Sequence, residues 1–353
     1  MSAPRKGRGA TLNLEGRFET AQREAFDDGW ETLAEPLPPL RTTVTVESAR
    51  SIISRNDSPD LPFSQSINPY RGCEHGCIYC YARPSHGYLN LSPGLDFESR
   101  LFAKPEAAAL LRAELAKPGY RCSPIALGAN TDVYQPVERD WRVTRQLIEV
   151  LAECEHPFTL VTKSALVERD LDLLAPMAEK RLVKVFVSLT TLDDALARRM
   201  EPRAASPQRR LRAMQALNAA GVPVGVMTAP LIPFLTDAEM EHLLEAAHAH
   251  GAREAAYTVL RLPYELKALF GDWLETHYPL KAAHVMNRLR EMRGGKDYDA
   301  DFATRLAGSG EFARLLEQRF RLACARLGFD RQSAPLDVTR FRPPSADGQM
   351  ALF

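Results

Sequence analysis

Short apolar segments alternate with segments of helical periodicity through the middle of the chain. Apolar runs of strand length follow one another at 123–128, 158–162, 183–189, 222–228 and 255–260. The segments between them carry apolar residues at helical spacing, at 141–154, 170–179, 209–220 and 237–250. Strands that alternate with helices of this length predict βαβ units, and therefore an α/β fold with a parallel sheet. One more strand before residue 68 brings the count to about six units, which an open doubly wound sheet would also satisfy.

The regions on either side have a different pattern. Residues 1–45 are rich in Pro, Gly, Arg and Glu and have weak periodicity, which predicts a mobile basic arm. A β-like run follows at 43–46, and residues 104–116 have the spacing of a helix. We therefore expect the repeating core to occupy residues 60–265.

Beyond residue 262 the strand pattern stops. Helical spacing is found at 265–278, 282–292, 302–306 and 311–327. A helical region over 266–330 is therefore expected to follow the core as a C-terminal extension. Residues 331–353 contain Pro, Ser, Asp and Gly and are predicted to form a flexible tail.

Composition narrows the class of protein. The chain has 353 residues, is 45% apolar and 25% charged, and has a formal net charge of zero. It contains no run of eighteen apolar residues, and its first residues lack the apolar core of a secretory signal, so we expect a cytoplasmic protein without a membrane span. Because the molecule as a whole is not a polycation, a nucleic-acid surface would have to be a local patch.

The cysteines indicate a metal site. Cys73, Cys77 and Cys80 are spaced C-x3-C-x2-C in one short loop, and Gly72 and Gly76 allow the backbone to curl there. We call residues 72–81 the cysteine loop. Three thiolates on such a loop suit an iron–sulfur cube, which normally takes four ligands, so that one iron stays open for a substrate or cofactor. The alternative is zinc, which usually has four ligands from paired Cys and His motifs.

Polar residues stand where the predicted strands end. Lys163 ends an apolar strand, and Ser188 lies in the next one along the chain. Chemistry in parallel barrels takes place at the carboxyl ends of the strands. A lysine at such a position has to meet an anion, because a buried unpaired charge is costly. We therefore expect ligand contacts at this end of the sheet.

The cysteine spacing, with Tyr79 in the aromatic position before the last cysteine, resembles the signature of the radical S-adenosylmethionine superfamily. The resemblance implies a partial (β/α)6 barrel in which Cys73, Cys77 and Cys80 bind a [4Fe–4S] cluster. S-adenosylmethionine (SAM) then chelates the fourth iron. Reductive cleavage of SAM yields a 5′-deoxyadenosyl radical that abstracts hydrogen, with flavodoxin or ferredoxin as the expected reductant.

Further segments narrow the resemblance to the spore-photolyase-related branch, over roughly residues 60 to 265. These segments are Asn130–Glu138, Thr162–Ser164, Arg169–Asp170, Ser188–Thr190, Glu201–Pro202 and Ala229–Pro230. The resemblance implies that Thr131, Lys163 and Ser188 contact SAM. Glu201 and Arg212 are weaker candidates, because they could pair with each other. Within this branch the resemblance suggests a nucleic-acid or nucleobase substrate, in DNA repair or modification.

One position departs from that branch. Spore photolyases carry a hydrogen-donating cysteine just before the turn that holds Thr131, and this chain has Ala129-Asn130 there. Cys122 lies at the other end of the same predicted strand, so photoproduct repair by the known relay is not expected. Tyr79 and Tyr81 are the candidates for a radical relay or for packing against adenine.

Two features outside the core suggest partners. Arginines recur on the predicted C-terminal helices, as a solvated face or as a phosphate-contacting surface. The last residues, Gln349–Phe353, resemble the peptide by which bacterial repair proteins bind the DNA sliding clamp. Two other functions remain open at this point: an iron–sulfur redox or sensing protein that never cleaves SAM, and a clamp-recruited DNA-binding module.

Overall fold

A single large sheet lies at the centre of the computed structural model, which describes residues 6–18, 40–329 and 334–344. The strands in these ranges are β1 (Thr43–Val46), β2 (Ile53–Arg55), β3 (Gln65–Ile67), β4 (Tyr70–Arg71), β5 (Arg100–Ala103), β6 (Ile125–Leu127), β7 (Phe158–Thr162), β8 (Val183–Ser188), β9 (Val224–Leu231) and β10 (Glu254–Val259). The large sheet has the order β10-β9-β8-β7-β6-β3-β2, in which β2 is antiparallel and all other pairs are parallel.

The order of the strands distinguishes between the two predicted arrangements of the sheet, a partial barrel and an open doubly wound sheet. From β3 to β10 the parallel strands lie side by side in the same order as in the chain. A doubly wound sheet would reverse its order at a switch point. The α/β fold with a partial barrel of six parallel strands is therefore confirmed.

Helices cover the outside of this sheet. The α-helices of the described ranges are α1 (Leu95–Ser99), α2 (Ala107–Leu115), α3 (Glu138–Trp141), α4 (Val143–Glu153), α5 (Leu171–Glu179), α6 (Asp194–Met200), α7 (Pro207–Ala219), α8 (Met240–Ala249), α9 (Leu266–His277), α10 (Pro279–Glu291) and α11 (Gly310–Leu327). Leu147 of α4, Leu174 of α5 and Leu217 of α7 are fully buried in the core shared with the strands. Burying one such side chain stabilises the fold by about 1.5–3 kcal/mol.

The C-terminal helices form a second core on one side of the barrel. Leu269 and Trp273 of α9 and Leu289 of α10 pack in the same cluster as Ile78 and Tyr79 of the cysteine loop. The predicted C-terminal extension is therefore present and adjoins the loop. The helix predicted at 302–306 is wrong, because those residues form turns. Within the described ranges, no helix has the length and apolar character needed to cross a membrane.

At the N-terminal side one prediction is confirmed and one needs correction. The β-like run at 43–46 is strand β1, which pairs with β5 in a separate three-stranded sheet, whereas the additional parallel strand of the barrel is β3. The mobile arm predicted for residues 1–45 is wrong for residues 6–18, which pack on the domain: Arg8 is only 7% exposed and Ala10 only 1%. The rest of that arm up to residue 39, and the pentapeptide Gln349–Phe353, lie outside the described residues.

Candidate metal centre and cofactor site

The backbone of the cysteine loop depends on its glycines. Gly72 and Gly76 have φ values of +74° and +67°, in the left-handed region that favours glycine. A Cβ atom at Gly72 would lie 2.6 Å from the Leu101 side chain and 2.8 Å from the Phe97 carbonyl oxygen. The loop therefore turns tightly between β4 and the 3-10 helix that begins at Arg83.

The thiols of this loop influence one another. Burial raises the pKa of the Cys73 thiol well above its usual value, and negative charge on Asp132, Cys77 and Cys80 raises it further. Burial raises the pKa of Cys77 to about 12, although the Lys163 ammonium opposes the shift. Coordination to iron removes this penalty, because a coordinating thiol is deprotonated. Three neighbouring thiols on one short loop are a donor set that fits an iron–sulfur cluster.

His75, the histidine of the cysteine loop, lies against a carboxylate. Its Nδ1 atom lies 3.2 Å from Oδ2 of Asp132, without the angle of a hydrogen bond, and the residue is only 2% exposed. Within the described ranges, no group of three or more His, Cys, Asp or Glu side chains is arranged to hold a single metal ion. His75 therefore joins the cysteine loop to the end of β6.

An ion pair supports the loop from within. The Arg83 guanidinium donates to the carbonyl oxygens of Cys77 (2.8 Å) and Gly76 (3.0 Å) and to the Glu98 carboxylate (2.5 Å). Neither side chain of the pair is exposed. A buried ion pair is stable when its remaining hydrogen-bonding capacity is used, and here the guanidinium also donates to two further carbonyl oxygens. Arg83 thereby fixes the backbone next to two successive positions of the loop.

Asp132 joins the ends of two strands. Its carboxylate accepts hydrogen bonds from the Lys163 backbone NH (2.7 Å), the Thr162 hydroxyl (2.8 Å) and the Tyr134 backbone NH (2.9 Å). Burial alone would raise its pKa, but His75 and these hydrogen bonds lower the pKa to about 2. The group is thus a carboxylate that ties the turn after β6 to the end of β7.

Lys163 lies where the sequence predicted, directly after β7 and beside the cysteine loop. Its Nζ atom is 5.7 Å from the centre of the Tyr79 ring. Burial lowers the pKa of Lys163, but negative charge on Cys77 and Glu201 raises it by more, so the pKa stays above its usual value. The lysine therefore provides a fixed positive charge at the carboxyl end of the sheet.

Glu201 lies in the same place, but its partner is not the predicted one. Its buried carboxylate accepts hydrogen bonds from the hydroxyls of Tyr79 and Thr190 and forms an ion pair with Arg210. Arg212, the predicted partner, is exposed on α7. Two residues along a helix point in directions about 200° apart, so Arg210 and Arg212 occupy opposite faces. The Arg212 prediction is therefore wrong.

Thr131 and Ser188, the two hydroxyl residues predicted to contact SAM, differ in their hydrogen bonds. The Thr131 hydroxyl donates to the Tyr70 carbonyl oxygen at 3.0 Å, so towards a ligand it can act only as an acceptor. Ser188 ends β8 and is 3% exposed, and its backbone carbonyl accepts from Arg210 at 3.1 Å. The Ser188 hydroxyl makes no hydrogen bond within the described part of the chain, so it is available to a ligand.

The two tyrosine candidates have unlike surroundings. Tyr79 is 6% exposed, and its hydroxyl is committed to Glu201. Tyr81 is 46% exposed, and its hydroxyl donates to the carbonyl oxygen of Ala129, with the Arg261 guanidinium 4.6 Å from its ring centre. Of the two rings, Tyr81 is the one that a substrate can reach.

The structure therefore brings Lys163, Glu201 and Tyr79 together with the cysteine loop and leaves Arg212 outside. Sequence reasoning did not identify the supporting residues: Asp132, His75, Arg210, Arg83 and Glu98. A signal was available for Arg210, because Leu211, Met214 and Leu217 mark the buried face of α7. The pairs that join distant segments, such as His75 with Asp132, left no such periodic signal.

Comparisons with known proteins agree with this geometry. Residues 67–247 match the Radical SAM superfamily. The chain is 39% identical over 234 residues to the uncharacterized protein Rv2578c of Mycobacterium tuberculosis, which covers 66% of this chain and 68% of the relative. It is 28% identical over 173 residues to the uncharacterized protein MJ0683 of Methanocaldococcus jannaschii, over 49% of this chain and 62% of the relative.

Solved structures show the same fold. Spore photoproduct lyase complexed with dinucleoside spore photoproduct superposes with a TM-score of 0.55 at 16% identity, covering 80% of this chain and 79% of that chain. A mutant of the same lyase with bound AdoMet and dinucleoside spore photoproduct gives a TM-score of 0.53 over the same shares. The cysteine loop, the six parallel strands and the profile match together show that the chain belongs to the radical SAM superfamily.

Proposed function

We propose that this radical SAM enzyme holds a [4Fe–4S] cluster on Cys73, Cys77 and Cys80 and acts on a nucleic-acid substrate. Membership of the superfamily implies both the cluster and SAM. When bound, these groups supply a 5′-deoxyadenosyl radical that abstracts a hydrogen atom from the substrate. The polypeptide has to bind the cofactor, exclude water and orient the substrate.

The cofactor-binding part of the proposal rests on the strand ends. Lys163 follows β7 and Ser188 ends β8, and these two strands are neighbours in the sheet. The lysine offers a positive charge and the serine an uncommitted hydroxyl, which suits the carboxylate and hydroxyl groups of SAM. Thr131 can accept one hydrogen bond. Glu201 keeps Tyr79 and Arg210 in place, which makes it a positioning residue.

The nucleic-acid part rests on a surface that we call the arginine–aromatic rim. Its members are Tyr81, Arg261, Tyr264, Arg17, Phe302 and Arg305. Arg17 lies 3.6 Å from the centre of the Tyr264 ring, and Arg305 lies 4.5 Å from that of Phe302. The three rings are between 46% and 61% exposed. Exposed rings beside arginines bind single-stranded nucleic acid, because bases stack on the rings and the cations attract phosphates.

The position of the rim relates it to the cofactor site. Tyr81 directly follows Cys80, and Arg261 and Tyr264 follow β10. Both places lie at the carboxyl ends of the strands, where barrel enzymes carry out their chemistry. Arginines pair with carboxylates both on the C-terminal helices, as Arg288, Arg290, Arg319 and Arg326 do, and in the rim, as Arg17 does with Glu265 and Arg305 with Asp60. The rim is favoured by its place at the strand ends, and its Arg261 has no carboxylate partner within the described residues.

The rim makes a testable prediction. We expect single-stranded oligonucleotides to bind with a salt-dependent affinity, and Tyr264→Ala to weaken binding about five- to a hundredfold, because stacking on one ring contributes about 1–3 kcal/mol. Fluorescence anisotropy with a labelled oligonucleotide measures this. Leu280→Ala is the control, because Leu280 is 93% exposed on α10, outside the rim. Equal affinity in all three proteins would count against a nucleic-acid substrate and favour a protein such as the reductant at the rim.

The tyrosines are assigned different roles in this proposal. Tyr81 is placed as the catalytic residue that passes hydrogen to or from the substrate, because it is exposed and its hydroxyl lies against Ala129. That is the position where the related lyases are expected to carry a cysteine. Tyr79 is placed as a positioning residue, because burial and the neighbouring Glu201 charge hold its pKa well above the usual value.

We expect Tyr81→Phe to separate two steps. Formation of 5′-deoxyadenosine stays within about twofold of wild type, because the three cysteines and Lys163 are unchanged. Hydrogen transfer from the phenol falls at least about tenfold, equivalent to about 1.4 kcal/mol or more in the barrier. The phenolic hydrogen exchanges with solvent, so mass spectrometry of oligonucleotides treated in D2O measures the transfer. Undiminished deuterium incorporation in the variant would remove Tyr81 from the catalytic role.

Three of the partner and role predictions remain predictions. A flavodoxin or ferredoxin is the expected electron donor, and DNA repair or modification is the expected setting. The pentapeptide Gln349–Phe353 is proposed to recruit the enzyme to the DNA sliding clamp, as a peptide docked in an apolar pocket. Clamp pull-down that is unchanged after removal of this pentapeptide would end that proposal.

A further inference from the structure

The N-terminal residues 8–14, which we call the strap, lie directly against the support of the cysteine loop. The backbone NH groups of Gly9 and Ala10 donate to the two oxygens of the Glu98 carboxylate, at 2.9 and 2.8 Å. The Arg8 guanidinium donates to the Glu98 backbone carbonyl at 2.6 Å. The same carboxylate accepts from Arg83. The strap thus supplies further hydrogen-bond donors to the Glu98 carboxylate of the buried Arg83–Glu98 ion pair.

Two glycines allow the strap to approach closely. A Cβ atom on Gly9 would lie 1.9 Å from the carbonyl oxygen of Gly76, in the cysteine loop. A Cβ atom on Gly94 would lie 2.2 Å from the carbonyl oxygen of Leu12, in the strap. Both obstacles are backbone atoms, which cannot rotate away as a side chain can. A larger residue at Gly9 has to push the strap away from the cysteine loop, and one at Gly94 has to push it away from the start of α1.

The strap also contacts the other side of the site. The Asn13 side chain accepts hydrogen bonds from the backbone NH groups of Leu95 (2.9 Å) and Asp96 (3.3 Å), at the start of α1. The Thr11 hydroxyl donates to Asp272 of α9. The strap therefore connects the elements around the cysteine loop with the C-terminal helices beyond β10.

We propose that the strap is a positioning element for the iron–sulfur cluster. It acts through Glu98 and Arg83 on the backbone of Gly76 and Cys77, and it covers the Gly76 carbonyl from solvent. Hydrogen bonding and solvent exposure around a cluster set its retention and its reduction potential. The inference rests on the cluster of the proposed function and is independent of its nucleic-acid substrate, because it concerns only how the chain holds the cluster.

The test compares glycine variants after anaerobic reconstitution. In Gly9→Ala and Gly94→Ala we expect loss of the cluster to an iron chelator about tenfold faster than in wild type, the lower end of the effect of residues that support metal ligands. We also expect a changed electron paramagnetic resonance spectrum of the reduced cluster and a shifted midpoint potential. Gly271→Ala is the control, because an added Cβ there meets nothing within 4 Å. If both Gly9→Ala and Gly94→Ala retain the cluster as wild type does, with the same spectrum and midpoint potential, the proposal is overturned.

A second measurement needs no variant. Hydrogen exchange of the wild-type protein is measured with and without the cluster. We expect the amides of Gly9 and Ala10 to exchange more slowly when the cluster is bound. The reason is linkage: if the strap stabilises the cluster-bound loop, the bound cluster stabilises the strap to the same extent. Exchange at these amides that does not respond to the cluster would contradict the proposal, even if the glycine variants fail to fold. Oligonucleotide binding does not enter either measurement, so failure here is distinguishable from failure of the proposed function.

Discussion

Cys77→Ala is expected to abolish both the cluster and the cleavage of SAM. The loop then offers two thiols, and the remaining thiolates cannot hold a cube that already leaves one iron without a protein ligand. We expect visible absorption and bound sulfide to fall to background, and 5′-deoxyadenosine formed after dithionite reduction to fall at least about 100-fold. Cys73→Ala and Cys80→Ala should behave alike, because the three thiols are neighbours on one loop.

Two further variants make this experiment specific. Cys122→Ala is the matched control, since this cysteine precedes β6 at the opposite end of the strand from Thr131, and its cluster and product should equal those of wild type. Lys163→Gln should keep the cluster but bind SAM more weakly, because it removes the positive charge beside the loop. A full cluster in Cys77→Ala would contradict the assigned ligands. A full cluster in wild type without any 5′-deoxyadenosine would contradict SAM cleavage.

Arg210→Met is expected to produce the largest change in stability. The side chains of Arg210 and Glu201 are 1% and 0% exposed, so the variant leaves a buried carboxylate without its ionic partner. Breaking such a pair on one side costs about 3–5 kcal/mol in the free energy of unfolding. Urea unfolding of the cluster-free protein measures the change. The hydroxyls of Tyr79 and Thr190 would still donate to Glu201, but they supply no compensating charge.

The neighbouring Arg212 supplies the control. Arg212→Met removes the same charge from the exposed face of α7 and should change the free energy of unfolding by no more than about 0.5 kcal/mol. The double variant Arg210→Met with Glu201→Met should recover part of the loss, because the buried pair is then replaced by apolar groups, although Lys163 also loses the neighbouring charge of Glu201. Similar destabilisation by the two single arginine variants would show that the ion pair is not what stabilises this region.

The strands and the candidate metal ligands were predictable because their signals are local. The apolar runs that became β6 to β10 are bounded by polar turns, and strict alternation with helices leaves few arrangements of the sheet. The C-x3-C-x2-C spacing and its glycines lie within ten residues. Lys163 and Ser188 were found because the carboxyl ends of parallel strands necessarily share one edge.

The predictions from sequence were wrong where the structure depended on which face of a helix is buried, or on a partner far away in the chain. Arg212 was expected beside Glu201, but Arg210 lies on the buried face of α7 with Leu211, Met214 and Leu217, and Arg212 does not. Residues 6–18 resemble a mobile arm in composition, yet they are held by Glu98, which is 89 positions beyond Gly9 in the chain. Composition reports only what a segment could bury by itself, and this segment is ordered by hydrogen bonds that another segment supplies.

The sequence by itself therefore determined the class of fold, the candidate cysteine ligands and the edge of the sheet at which the proposed site lies, since these follow from the alternation of strands and helices and from the spacing of the cysteines. The tertiary structure alone decided the rest: the ion pair between Arg210 and Glu201, the support of Cys77 by Arg83, and the strap over Gly76. The strap contact of Gly9 with Glu98 spans 89 residues. Arg210 and Glu201 are only 9 residues apart and Arg83 and Cys77 only 6, but these buried groups also meet only through the way the chain folds back between them.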